Sequence, residues 1–166
     1  LVPRPFGPYG LEKYVGEHYT RLFSYLYGLE TVSLRYLNVY GPRAKADGAY
    51  ALVIARFLGQ RKMGEPLSIT GDGTNTRAYT HVSDVVRANI LALSSLKVGE
   101  GEVINIGGEK EWSVNQIAEL IGGPVIHVAP RIEPKRTLPD ISRARELIGW
   151  QPQVAFEQSV LDLKTL

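Results

Sequence analysis

Thr31-Val32-Ser33-Leu34-Arg35-Tyr36-Leu37, followed by Asn38-Val39-Tyr40-Gly41-Pro42-Arg43, decides the class of fold. The first seven residues are β-branched and aromatic, which is the composition of a buried strand. The next six form a turn at its carboxyl end. Upstream, Leu11, Tyr14, Val15, His18, Tyr19, Leu22 and Leu26 recur at helical spacing and make one apolar stripe. Tyr27-Gly28 stops that helix, because glycine tolerates the left-handed conformation of a helix end. In open parallel sheets ligands gather beyond the carboxyl ends of strands, so Tyr36 and Asn38 are candidates for a site.

Downstream the same alternation continues. Tyr50, Val53, Ile54, Phe57 and Leu58 repeat as a helix that ends near Gly59 or Gly64. Leu67-Ser68-Ile69-Thr70 is a short strand. Gly71-Asp72-Gly73 after it suggests a dinucleotide fingerprint, but Thr76 stands where the third glycine belongs and the continuation is polar, so a D-G turn is the better reading. No other G-x-G-x-x-G and no G-x-x-x-x-G-K-[ST] occurs. Ala78 to Val82 reads as a strand. Ser83 then caps a helix carrying Val85, Val86, Asn89, Ile90 and Leu93. Val103 to Ile106 and Val125 to Val128 are strands. Ser113 and Gln116 form a capping box for a helix that Gly122-Gly123-Pro124 stops. Asp140 caps another helix, ending at Gly149, and Phe156, Val160 and Leu163 suggest a last one. Alternating helices and strands argue α/β.

The chain has 166 residues, 44% of them apolar, which is enough for a real core. A net charge of +2 with mixed signs supplies no basic field for nucleic acid. Without cysteine there is no disulfide framework, and the composition is compatible with a reducing, cytoplasmic setting. No apolar run is long enough for a membrane helix, and no signal peptide is visible. The opening Leu1-Val2-Pro3-Arg4 reads as native sequence cut from a longer chain.

Tyr9 stands four residues before Lys13, so the phenol and the ammonium share a helix face, with Glu17 and Thr20 on the same side. Such a pair is either a solvated surface or a proton-transfer couple. His18, His81 and His127 lie far apart and pair with no carboxylate at ligand spacing, so a metal centre is not indicated. No G-x-S-x-G occurs. Arg77 and Arg131 leave a turn and a strand end, where a guanidinium fork can reach phosphate oxygens.

Taken together, Pro8-Tyr9-Gly10-x-x-Lys13, Leu34-Arg35-Tyr36-x-Asn38-Val39-Tyr40-Gly41-Pro42-Arg43, Gly71-Asp72-Gly73-x-x-Thr76-Arg77, Val82-x-Asp84-Val85, Asn105-Ile106-Gly107, Asp140-Ile141-x-x-Ala144 and Leu147-x-Gly149-Trp150-x-Pro152 resemble the extended short-chain dehydrogenase/reductases. Within them the pattern is similar to the nucleotide-sugar epimerases and dehydratases. The match runs nearly end to end, in order and at the family's spacing.

The resemblance implies the C-terminal half of an NAD-dependent enzyme: an α/β chain holding the catalytic helix, a late parallel Rossmann strand and a small α/β substrate-binding lobe. Residues 1–43 would be the Rossmann remnant. Residues 44–166 would be the lobe, with a late strand and helix returning to the Rossmann sheet. By the same resemblance Tyr9 is the general base and Lys13 its partner, which also contacts the nicotinamide ribose. A free phenol titrates near 10, so a base at neutral pH needs roughly 4 kcal/mol of help, which a neighbouring cation supplies in part. Tyr36 would line the nicotinamide pocket. Asn38, Arg77 and Arg131 would hold the substrate's diphosphate, and the segment of Leu67 and Ile69 would lie against the nucleotide base. The implied reaction is 4-epimerisation of a nucleotide sugar through a transient keto-sugar, in a cytoplasmic homodimer. A 4,6-dehydratase and a UDP-glucuronate decarboxylase are alternatives; Arg77-Ala78 and Val82-Ser83-Asp84 resemble the latter. From another class, a non-catalytic sugar-nucleotide-binding or assembly module is the rival. The isolated chain, lacking a glycine-rich phosphate loop, is expected to be inactive.

Overall fold

The computed structural model describes residues 3–5, 7–48 and 51–165; Leu1, Val2 and Tyr50, the last expected to open the apolar repeat of the second helix, lie outside them. The elements in order are α1 (Pro8–Tyr27), β1 (Thr31–Tyr36), β2 (Val39–Tyr40), α2 (Val53–Lys62), β3 (Leu67–Thr70), β4 (Thr76–Ala78), β5 (Thr80–His81), α3 (Val82–Ser94), β6 (Glu100–Ile106), β7 (Glu111–Ser113), α4 (Val114–Ile121), β8 (Val125–Val128), β9 (Arg136–Thr137), α5 (Ser142–Ile148) and α6 (Phe156–Leu163). The alternating α/β organisation expected from the sequence is present. β2, β4, β7 and β9 are additions, each too short for an alternating pattern to show, and the strand expected over Ala78 to Val82 is reduced to β5, with Val82 opening α3.

β1 pairs parallel with β6, β2 with β5, and β3 with β8. β4 takes β7 antiparallel on one side and β9 parallel on the other. Two apolar clusters hold these pieces. One gathers Ile54 and Phe57 of α2, Leu67 and Ile69 of β3, Ile117 and Ile121 of α4 and Val160 of α6. The other packs Val85 and Ala88 of α3 and Ala144 and Ile148 of α5, with Trp150, against Ile104 and Ile106 of β6. The clusters interleave along the chain, because β6 and α3 return to β1 after the segment containing β3 and β4.

α1 packs differently from its sequence pattern. Its inner side is Tyr14, Glu17, Thr20 and Ser24, while Leu11, Val15, Tyr19, Leu22 and Leu26 stand exposed. The contacts are polar: Glu17 accepts two bonds from Arg35 at 2.6 Å each, Thr31 Oγ1 donates to the Thr20 carbonyl, and Ser24 Oγ donates to the Gly99 carbonyl. Gly101, at φ +80°, lets the helix come this close, since a Cβ there would lie 2.6 Å from Arg21 Cα. α3 repeats the theme. Val85, Ala88 and Ala92 face inward, while Val86, Ile90 and Leu93, expected on the apolar face, are exposed. Its cap is His81, whose Nδ1 accepts from the Ser83 amide, rather than Ser83 itself. The capping box of Ser113 and Gln116 is present with both bonds. Asp140 serves the first turn of α5, accepting from the Ser142 amide at 2.9 Å.

Tyr40 sits in the first cluster with its hydroxyl 2.5 Å from Ser159 Oγ. Burial pushes this phenol up to about 12, against the opposing hydrogen bond from Ser159, and the Asp84 charge adds to the rise. Below pH 10 the phenol is protonated in both folded and unfolded chains, and its stabilising contribution is fully present. Between pH 10 and 12 only the unfolded chain ionises, so roughly 2–3 kcal/mol of stability is lost as pH rises. Urea denaturation at pH 9.5 and 11.5 checks this. Tyr40→Phe should lose less stability over that interval than the native chain; an identical loss would rule the phenol out as the source. Tyr79 shifts in the same direction through burial, so the variant removes only part of the slope.

Candidate functional site

The direction of α1 sets the site. Thr20 meets Thr31 at the start of β1 and Glu17 meets Arg35 near its end, so the helix runs antiparallel to the strand. Lys13 and Tyr9 are one and two turns further toward the helix start. At 1.5 Å per residue they extend about 6 Å and 12 Å along the axis from Glu17, beyond the carboxyl end of β1. Tyr36 and Asn38 emerge at that same end. The fold thus brings four residues separated in sequence to one sheet edge.

Pro8 at the first helical position, after an extended Gly7, starts α1 just before Tyr9. Lys13 Nζ lies 5.3 Å from the centre of the Tyr9 ring, and both side chains share one helix face. Tyr36 donates its hydroxyl hydrogen to Asn89 Oδ1 of α3 at 2.9 Å, and Asn89 is itself held by the Val85 carbonyl. Asn38 adopts φ 44°, a left-handed conformation that asparagine tolerates. Its Nδ2 donates to the Ala78 carbonyl at 2.8 Å and its own carbonyl accepts from the Thr80 amide. This kink ends β1 and re-aims the chain into β2.

Asn38 also lines a cavity of about 190 Å³, together with Arg77 and Arg131. Arg77 Nη1 donates to the Thr76 carbonyl and Nη2 to Glu133 at 3.3 Å. All three residues expected to meet a diphosphate are therefore gathered in one polar hollow. Leu67 and Ile69 are not there: 0% and 2% exposed, they belong to the core. That corrects the expectation for their side chains. Successive strand residues face opposite ways, so once Leu67 and Ile69 turn inward, Ser68 and Thr70 turn outward, and Thr70 does line the cavity.

Sequence reasoning missed Arg56. It comes from α2, between the buried Ala55 and Phe57, and lines the same cavity. Its signal was a charged residue set into the apolar run Val53-Ile54-Ala55-Arg56-Phe57-Leu58. A larger cavity of about 910 Å³ lies between residues 39–48, α2 and the end of α6; it contains none of the sequence-predicted site residues and touches the smaller one at Ala51 and Leu52. Among the described residues no group of three or more His, Asp or Glu side chains could hold a metal, and no helix is long and apolar enough to cross a membrane.

Residues 1–107 match the model of the NAD dependent epimerase/dehydratase family. The chain is 40% identical over 163 residues to a putative UDP-glucose 4-epimerase of Methanocaldococcus jannaschii, covering 94% of this chain and 52% of that protein. It is 39% identical over 148 residues to a UDP-N-acetyl-alpha-D-glucosaminuronate decarboxylase of Bacillus cytotoxicus, covering 81% of this chain and 45% of the other. The crystal structure of UDP-glucose 4-epimerase with UDP-glucose from Thermotoga maritima superimposes with a TM-score of 0.88 at 38% identity, covering 99% of this chain and 54% of that one. The chain spans about half the length of the relatives it matches.

Proposed function

Because this chain belongs to the NAD dependent epimerase/dehydratase family, we propose that it is the C-terminal portion of an NAD-dependent UDP-sugar 4-epimerase. The observation that carries this reading is the position of Asn38. It closes the strand at whose end Tyr9 and Lys13 lie, and it lines the cavity that Arg77 and Arg131 make cationic. A proton-transfer pair and a diphosphate-sized anion site thus adjoin.

The residues present fit one end of a dinucleotide. Tyr9 and Tyr36 are exposed at the carboxyl edge, and among the described strands β1 is paired on one side only, leaving an edge where further parallel strands can add. Lys13 and Tyr36 would hold the nicotinamide ribose and ring. The sequence carries no G-x-G-x-x-G to cradle the pyrophosphate, so that part falls to residues outside this chain, and the isolated chain would be inactive. NAD, when bound, would supply the acceptor for the sugar's C4 hydride and, once reduced, the donor that gives it back. Tyr9 takes the proton of the sugar's 4-hydroxyl, and Lys13 stabilises the phenolate. Asn38, Arg77 and Arg131 anchor the diphosphate, leaving the 4-keto-sugar free to turn before Tyr9 returns the proton.

In this reading residues 1–43 with β6 are the end of the Rossmann sheet, the remainder is mostly the substrate lobe, and the protein is cytoplasmic. A homodimer is part of it too. The exposed Leu11, Val15, Tyr19 and Leu22 form an apolar face on α1 suited to helix packing.

Decarboxylation of a UDP-uronate is the second reading, favoured by the 39% identity to the Bacillus cytotoxicus protein. One experiment separates the two. The full-length protein with NAD is given UDP-galactose or UDP-glucuronate. Formation of UDP-glucose from the first supports the epimerase, release of CO2 from the second supports the decarboxylase, and neither product would defeat both.

A further inference from the structure

The small cavity is out of charge balance. Arg56, Arg77 and Arg131 line it, and the one carboxylate among its lining residues is Glu133. Three positive charges against one negative leave the ligand-free cavity with a surplus of positive charge, the character of an anion site. Arg56 donates Nη2 to the Ser68 carbonyl at 3.2 Å, but its buried Nε has no hydrogen-bond partner, the one such buried side-chain atom among the described residues. Burial lowers the Arg56 pKa and the neighbouring Arg131 cation lowers it further, while Glu133 works the other way. Glu133 reaches Arg77 through a single 3.3 Å contact from a half-exposed position in the irregular segment between β8 and β9, whereas Arg77 is largely buried.

Building on the nucleotide-sugar reading above, we propose that Glu133 is a built-in counter-ion. It holds Arg77 in the ligand-free site and yields it to the substrate's diphosphate, which Arg56 engages as a third cation. A single 3.3 Å contact whose carboxylate end is solvated is weak and gives way cheaply. A phosphate offers the fork of Arg77 two acceptor oxygens at once. Were Glu133 to stay, its carboxylate would face the incoming anion.

The test is calorimetric titration of the full-length protein with UDP, with uridine as the phosphate-free control. Glu133→Gln should bind UDP about fivefold tighter, the equivalent of removing one weak ion pair, solvated at its carboxylate end, that the ligand must break, with uridine affinity unchanged. Arg56→Gln should weaken UDP at least tenfold and leave uridine unchanged. UDP affinity unaltered or lowered in Glu133→Gln would overturn the counter-ion role, and unaltered affinity in Arg56→Gln would remove the third cation. If the native protein fails to bind UDP at all, the nucleotide-sugar reading itself falls. Glu133 is half-exposed and outside both cores, so its variant folds whether or not the Arg56 one does.

Discussion

Tyr9→Phe in the full-length protein is expected to lower the turnover of UDP-galactose about 10²–10⁴-fold, the range that a positioned general base contributes, while UDP binding by calorimetry stays within about twofold. The substitution is narrow. Phenylalanine keeps the ring that Lys13 approaches at 5.3 Å and keeps the helix that Pro8 begins; only the hydroxyl is lost. The polar hollow is lined by Asn38, Arg56, Arg77 and Arg131, and Tyr9 is not among its lining residues. A loss in kcat without a loss in UDP affinity is therefore the signature of proton transfer. Undiminished turnover would take the base role away from Tyr9, and equal losses in turnover and binding would make it a binding residue.

Asp84→Ala should cost about 3 kcal/mol or more of folding stability, as breaking a buried charged pair does. That lowers the melting temperature by roughly 10 °C, given about 2–4 °C per kcal/mol for a chain of this size. Asp84 is 2% exposed. Its carboxylate accepts from the amides of Gln153 and Val154 at 3.1 Å and from Arg87 at 2.7 Å, while its backbone carbonyl accepts from Trp150 Nε1. One side chain thus ties the start of α3 to the segment linking α5 and α6, and so joins the two apolar clusters. Asp84→Asn keeps the shape but turns an amide nitrogen toward backbone donors, and most of the loss should persist. Thermal and urea denaturation measure both. A shift below 1 kcal/mol for Asp84→Ala would show that water satisfies those donors and that the tie is dispensable.

The two variants report on different layers of what could be read in advance. Tyr9 and Lys13 were visible because four residues is one helical turn, and a single helix keeps its own spacing. Arg77 and Arg131 were visible as cations after a turn and at a strand end. Asp84 was visible as a motif landmark, yet its role was not, since its partners lie some 70 residues away at Gln153 and Val154. Arg56 was missed for the opposite reason. Inside an apolar repeat it looked like a helix-surface residue, and only the approach of β4 and the loop after β8 makes that surface the wall of a cavity. Leu67 and Ile69 were misread because a four-residue strand has two faces, and composition does not say which one meets the core.

From the sequence alone came the α/β alternation, the family, the capping box at Ser113, the D-G turn at Gly71 to Gly73, and the four-residue step from Tyr9 to Lys13. All depend on local periodicity, turn chemistry or an ordered set of short motifs, and local terms act over one to four residues. The tertiary structure alone decided which side of α1 packs. Bidentate pairing of Glu17 with Arg35 and the close passage over Gly101 turn a polar face inward and leave the apolar stripe exposed. It alone set the antiparallel run of α1 along β1, which carries Tyr9 and Lys13 beyond the same strand end as Tyr36 and Asn38. It alone placed three arginines around one carboxylate. Those outcomes rest on contacts between residues far apart in the chain, whose energies exist only once the backbone has closed the loops between them.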